Sequence, residues 1–209
     1  MLAALRDIFV SEKNTRTQRH IVARDLTEKY QKQWKDFSLQ KVYIACPYWV
    51  EEKYHLHAFK YRKNRQHLRE YVAMFEKMFS QQRLVPDFII YPPIHWTTRM
   101  IRGKNHMKVV ADKVSKQIGV PTIHAFSRNS PSHQARLSRG ERRRGLTSTF
   151  QIRNKYRKLI ISKNIVLIDD VVSTGSTCHF LWKILCEGGA KSVQGLFLYS
   201  SGIEKKKTK

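Results

Sequence analysis

The sequence predicts an α/β protein: a central, mostly parallel sheet with helices on both of its faces. Apolar runs of strand length recur at residues 88–91, 165–168 and 192–199, as in strands buried on both sides. Between them lie segments whose apolar residues recur every three to four positions, the period of a helix packed along one stripe. The clearest strand, Ile165, Val166, Leu167 and Ile168, delivers two carboxylates, Asp169 and Asp170, into a turn of small residues. That order is expected where an open parallel sheet binds ligands beyond the carboxyl ends of its strands.

Taken in order, residues 1–38 place Ile21, Leu26, Tyr30, Trp34 and Phe37 three to five positions apart among Arg, Glu, Lys and Gln, as an amphipathic helical extension would. Residues 41–46 read as a strand ended by Pro47, and residues 54–79 keep helical spacing through Leu56, Phe59, Leu68, Val72, Phe75 and Phe79. After the strand at 88–91 and a loop, Met107, Val110, Ala111, Val114 and Ile118 mark a helix that stops at Gly119. Residues 120–126 form a second strand, and residues 127–144 have no apolar period and read as a long loop. The last unit is the strand 165–168, a turn, a helix over 177–186, the pair Gly188 and Gly189, and the strand 192–199. The chain divides into a basic helical extension at 1–53, a ligand-binding domain at 54–202 and a basic tail at 203–209.

With 209 residues, 41% hydrophobic and 11% aromatic, the chain can build the core of one domain. Lys and Arg number 40 against 16 Asp and Glu, and the formal net charge of +24 predicts an anionic partner. Residues 128–163 hold 11 basic residues and one acid, Glu141, and include the run Arg142, Arg143 and Arg144. The three cysteines, Cys46, Cys178 and Cys186, are too few and too irregularly spaced for a disulfide framework or a four-ligand zinc site, which fits a reducing compartment. No apolar stretch approaches the ~18 residues of a membrane span, so a cytoplasmic location is expected.

The chemistry is concentrated at 165–177. Ser173, Thr174, Gly175, Ser176 and Thr177 can aim successive backbone N–H groups and hydroxyls into one concavity, to which the following helix adds its positive end. Such a nest suits a phosphate, and Gly175 permits the tight curvature. Carboxylates beside a phosphate repel it unless they hold hydroxyls or a cation, so Asp169 and Asp170 suit a ribose diol, directly or through hydrated magnesium. The chain has no Gly-Lys-Ser/Thr of a Walker loop and no G-x-G-x-x-G of a dinucleotide fingerprint.

The string IVLIDDVVSTGST resembles the phosphoribosyl pyrophosphate signature of type I phosphoribosyltransferases. Arg102, Gly103 and Asn105 match the Arg-Gly-x-Asn segment of the ComF-type competence proteins within that group. Arg128, Gln134, Leu137, Glu141, Arg142 and Phe150 resemble the same family's Arg/Gln-rich loop, and HAFKYR, residues 57–62, resembles its short Lys-Tyr segment. The usual N-terminal zinc knuckle of paired cysteines is missing, and Gly145 stands where the family has an Asn.

The resemblance implies a type I phosphoribosyltransferase fold over 54–202, with the extension acting as a hood. It implies that phosphoribosyl pyrophosphate contacts Asp169, Asp170, Val172, Ser173, Thr174, Gly175, Ser176 and Thr177, with Arg99 and Arg102 on the pyrophosphate. Asp169, Asp170 and Arg102 are then the catalytic set, and Mg²⁺ enters with the ligand on Asp169 and Asp170. The basic loop falls where the fold has its mobile flap. His95 reads as a packed loop residue, and no general base is assigned.

Two functions are consistent with these residues: transfer of a 5-phosphoribosyl group to an unnamed acceptor, or a non-catalytic sensor of phosphoribosyl pyrophosphate that binds single-stranded DNA through Arg142, Arg143 and Arg144 during DNA uptake. The acceptor and the oligomeric state stay open.

Overall fold

The computed structural model describes residues 23–33, 41–47, 50–62, 65–94, 104–128 and 150–200. Its elements in chain order are β1 (Arg24–Asp25), α1 (Thr27–Gln33), β2 (Val42–Pro47), α2 (Val50–Arg62), α3 (Arg65–Gln81), β3 (Phe88–Ile90), α4 (His106–Ile118), β4 (Thr122–Ile123), β5 (Phe126–Arg128), β6 (Phe150–Ile152), α5 (Asn154–Arg157), β7 (Asn164–Val172), α6 (Ser176–Glu187) and β8 (Ser192–Ser200). The main sheet has the order β1-β2-β8-β7-β3-β4; only the edge strand β1 runs antiparallel to its neighbour. A separate ribbon pairs β5 with β6 antiparallel.

Alternate residues of the central strands feed two cores. Val166, Ile168, Leu196 and Leu198 face Leu56 and Phe59 of α2, Phe75 and Met78 of α3, and Val110 and Val114 of α4. Ile165, Leu167, Val193 and Phe197 face Tyr30 of α1, Leu181 and Leu185 of α6, and Phe126 and Phe150 of the ribbon. Period-two alternation within strands that are apolar on both sides is what a doubly covered sheet requires.

The direction of the two crossovers sets the site. From β3 the chain passes through α4 on one face to β4, and from β7 it passes through α6 on the other face to β8. Strand order therefore reverses between β3 and β7, where diverging loops leave a crevice at the carboxyl ends. β3 ends at Ile90, paired with Leu167, whereas β7 runs on to Val172 along β8 alone. Asp169 and Asp170 sit on that overhang.

Several elements differ from the sequence expectation. The helical segment 54–79 is two helices folded against each other, with Phe59 edge-on to Tyr71 at 5.0 Å, a contact one straight helix cannot make. The strand expected at 120–126 stops at Ile123, and Phe126–Arg128 leaves the sheet for the ribbon. The helical extension contains the edge strand β1, and β2, assigned to the extension 1–53, lies inside the main sheet between β1 and β8. The tail 203–209 and most of the basic loop lie outside the described residues.

α4 ends as its sequence predicts. Gly119 adopts φ +74° and its N–H donates to Ser115 O at 3.0 Å, a left-handed cap. A methyl group there meets nothing within 4 Å, so Gly119→Ala isolates the backbone strain. It should cost about 1 kcal/mol and lower Tm by about 2–4 °C in thermal denaturation; an unchanged Tm would contradict the cap.

Candidate functional site

Asp170 is 7% exposed, and its Oδ2 accepts from both Lys60 Nζ at 2.7 Å and His106 Nε2 at 2.5 Å. Three elements meet on this one oxygen: β7 supplies the acid, α2 the lysine and the first position of α4 the histidine. His106 reaches it because Asn105 caps α4, its side-chain oxygen accepting from Met107 N at 3.0 Å and Lys108 N at 3.4 Å. The Asn105 Nδ2 donates to Pro92 O at 3.0 Å, which ties together the two ends of the loop leaving β3.

Asp169 remains partly open to solvent, and its Oδ1 accepts the Asp170 N–H at 2.8 Å. The two acids titrate as a pair with opposite tendencies. Loss of water, then the adjacent Asp170 charge, push Asp169 well above the usual carboxylate range. Burial would also raise Asp170, but the hydrogen bond from His106 and the Lys60 charge outweigh it and hold Asp170 low. The pair thus favours one negative charge over two.

Beyond β7 the chain turns through Ser173 and Thr174 to Gly175, whose φ of +71° opens α6 with no side-chain cap. The exposed Thr174 hydroxyl lies 2.9 Å from that of Ser176 and accepts the Ser176 N–H at 3.4 Å. Tyr30 of α1, 1% exposed, supports the loop from beneath by donating to Ser173 O at 3.2 Å, with Ser200 Oγ at 3.4 Å. Exposed Ser173, Thr174 and Thr177, buried Gly175 and Val172, and the N-terminus of a 12-residue helix form an anion-compatible rim.

The structure therefore brings together Asp169, Asp170, Val172, Ser173, Thr174, Gly175, Ser176 and Thr177. Arg99, Arg102, His95 and Arg142, Arg143 and Arg144 lie outside the described residues. Lys60, His106 and Tyr30 were missed as site residues. Lys60 belongs to the HAFKYR segment and His106 follows Asn105, so both stood inside motifs already singled out; Tyr30 read only as the apolar stripe of a helix.

The switch point, the two covered faces and the loop at the end of β7 define a type I phosphoribosyltransferase fold. The resemblance to ComF-type competence proteins holds in two curated relatives. Competence protein F of Haemophilus influenzae is 26% identical over 132 residues, 59% of this chain and 55% of the relative. Competence protein ComFC of Bacillus subtilis is 30% identical over 152 residues, 70% of this chain and 58% of the relative. The chain thus spans little more than half the length of each. No protein-family model matches. Among solved structures, the glutamine phosphoribosylpyrophosphate amidotransferase from B. subtilis superposes with TM-score 0.44 at 19% identity, covering 62% of this chain and 26% of that one. Adenine phosphoribosyltransferase from Leishmania tarentolae gives 0.43 at 13%, covering 70% and 80%. Among the described residues no helix is long and apolar enough to cross a membrane.

The opposed acids give a stability test. The lowered Asp170 contributes stability above its unfolded pKa of about 3.9 that is lost as pH falls through its folded value. The raised Asp169 does the reverse, and its contribution is lost as pH rises from about 4 toward its folded value. Asp169→Asn should therefore raise Tm at pH 7 by a few degrees, with the gain shrinking toward pH 4. Asp170→Asn, which leaves Lys60 and His106 facing a neutral amide, should lower Tm at pH 7. Thermal melts that fall equally for both variants would refute the assignment.

Proposed function

We propose that this chain binds phosphoribosyl pyrophosphate at residues 169–177 and transfers its 5-phosphoribosyl group. The observation that carries this reading is the overhang of β7, where the adjacent carboxylates of Asp169 and Asp170 stand immediately before a hydroxyl-rimmed, left-handed turn at a helix N-terminus. The 5-phosphate lies on the N–H groups and hydroxyls of Thr174, Gly175, Ser176 and Thr177, and Asp169 and Asp170 take the ribose diol. Arg99 and Arg102, on the loop tied by Asn105, meet the pyrophosphate as guanidinium groups suit it.

The acids also fit a hydrated Mg²⁺ arriving with the ligand. Asp170 is already engaged by Lys60 and His106, while Asp169 is partly open to solvent, so one carboxylate with waters is the available ligand set. Bound there, Mg²⁺ supplies charge neutralisation of the leaving pyrophosphate. The chain's own part is to hold the diol, keep a negative charge beside the anomeric carbon as positive charge develops on it, and bind the departing anion. The acceptor is unassigned.

Calorimetric titration with phosphoribosyl pyrophosphate, with and without Mg²⁺, tests binding, and pyrophosphate release in the presence of candidate acceptors tests transfer. Gly175→Val should abolish binding in a folded chain. Asp170→Ala should weaken it at least roughly tenfold, since a charge-assisted hydrogen bond is worth about 1.5–3 kcal/mol. Wild-type affinity in both variants would place the ligand elsewhere.

A second reading, sensing of the ligand with single-stranded DNA binding during DNA uptake, rests on the ribbon. Its strands hold both ends of the basic stretch, and Arg153 Nε donates to Phe126 O at 3.0 Å to pin the base. The relatives' names as competence proteins agree with this reading. If the stretch tracks a nucleic-acid backbone, each phosphate neutralised adds about 0.7 to the salt slope for single strands. Changing Arg142, Arg143 and Arg144 together to Ala should then reduce the slope of DNA affinity against salt by about 2; an unaltered slope returns the segment to a flap.

A further inference from the structure

A second cluster of chemistry, separate from the two acids, lies where α2 packs on α3. His55 of α2 and His67 and Glu70 of α3 each offer a donor atom, and these atoms all lie within 4.8 Å of one another. The His55 and His67 rings are 4.8 Å apart at 52°, and His67 Nδ1 is 3.2 Å from Glu70 Oε2. All three residues are half-buried. His67 and Glu70 alone would be an ordinary pair one helical turn apart; the second imidazole, brought from the other helix, converts the pair into a donor set.

We infer that His55, His67 and Glu70 bind one divalent transition-metal ion of the zinc type, which clips α2 to α3. Two imidazoles and one carboxylate form a recognised three-protein-ligand zinc set with a fourth position left to water, whereas magnesium and calcium prefer oxygen alone. A tetrahedral ion bound at about 2.0–2.2 Å holds its donors roughly 3.3–3.6 Å apart, so small side-chain rotations close the set. The surroundings support the donors as outer-shell partners do. Gln66 Nε2 donates to the other Glu70 oxygen at 3.3 Å, and the Tyr71 ring stacks on His67 with centroids 6.3 Å apart.

The clip has a place in the larger molecule. Tyr71 meets Phe59 at 5.0 Å, and Phe59 meets His106 at 5.8 Å, so a run of packed rings joins the cluster to the partner of Asp170. His55 also shares α2 with Lys60. Fixing α2 against α3 fixes the helix that carries the lysine to Asp170. The metal site does not depend on what the crevice binds.

The test uses the full chain, stripped with a chelator and titrated with Zn²⁺ in competition with a chromophoric chelator, then with Co²⁺ as a spectroscopic probe. One equivalent of zinc should bind, raise Tm, and be replaced by cobalt with the intense visible absorption of a four-coordinate ion. His55→Ala and His67→Ala should each weaken zinc at least roughly tenfold, the least that even an outer-shell partner costs, and abolish the Tm rise. Circular dichroism checks that each variant folds, and Glu70→Gln, which keeps the shape of the side chain, gives the same readout if an alanine variant does not. His57→Ala, exposed on the same helix, should retain zinc. No uptake by the wild type, undiminished affinity in both histidine variants, or an equal loss in His57→Ala would overturn the site.

Discussion

The geometry of the crevice depends on one buried carboxylate. Asp170 lies on the overhang of β7, and there α2 and α4, which share a face of the sheet but start far apart in sequence, reach a common atom. A buried charge without partners would cost several kcal/mol, so the acid is tolerable only because Lys60 and His106 both arrive. The lysine gains in turn, since its side chain is only 20% exposed and lies 2.7 Å from the Asp170 carboxylate. The contact therefore sets where α2 and the start of α4 stand relative to the end of β7, and with them the floor of the crevice.

The neighbouring acid explains why such an arrangement is kept at some cost. Two adjacent carboxylates whose hydrogen-bond donors, Lys60 and His106, both serve Asp170 cannot both ionise freely, so Asp170 is held charged and Asp169 is left unfavourably placed. A fold selected for stability alone would put an amide or an apolar residue at 169. An unfavourably placed acid beside well-packed strands is the pattern expected where binding opposes stability. Tyr30 adds a second kind of dependence: a side chain from α1, remote in sequence, supports a backbone carbonyl of the loop, so the N-terminal segment is part of the site's foundation as well as its surroundings.

Much of this was legible in the sequence because the informative signals are local. The strand-turn-helix from Ile165 to α6 and the stop at Gly119 each rest on a few adjacent residues with specific backbone demands. The misses share a cause. The break between α2 and α3 carries no Gly or Pro, the exit of residues 126–128 into a ribbon depends on a partner strand over twenty residues later, and Val42–Pro47 joins the sheet through β8, at the other end of the chain. Lys60 and His106 were visible as residues, but their convergence on one oxygen is a property of the fold.

The ribbon of β5 and β6 makes the basic stretch a tethered counter-charge. Residues 129–149 contain five arginines and begin and end at adjacent positions, so the chain can carry them no farther than on the order of 35 Å from the ribbon, half the extended length of the segment. The pairing of β5 with β6 therefore fixes the reach of these guanidinium groups, and with it their effective concentration for any anion bound within that reach. Because closure entropy rises only slowly with loop length, that concentration is insensitive to a few residues inserted between the strands and highly sensitive to loss of their pairing.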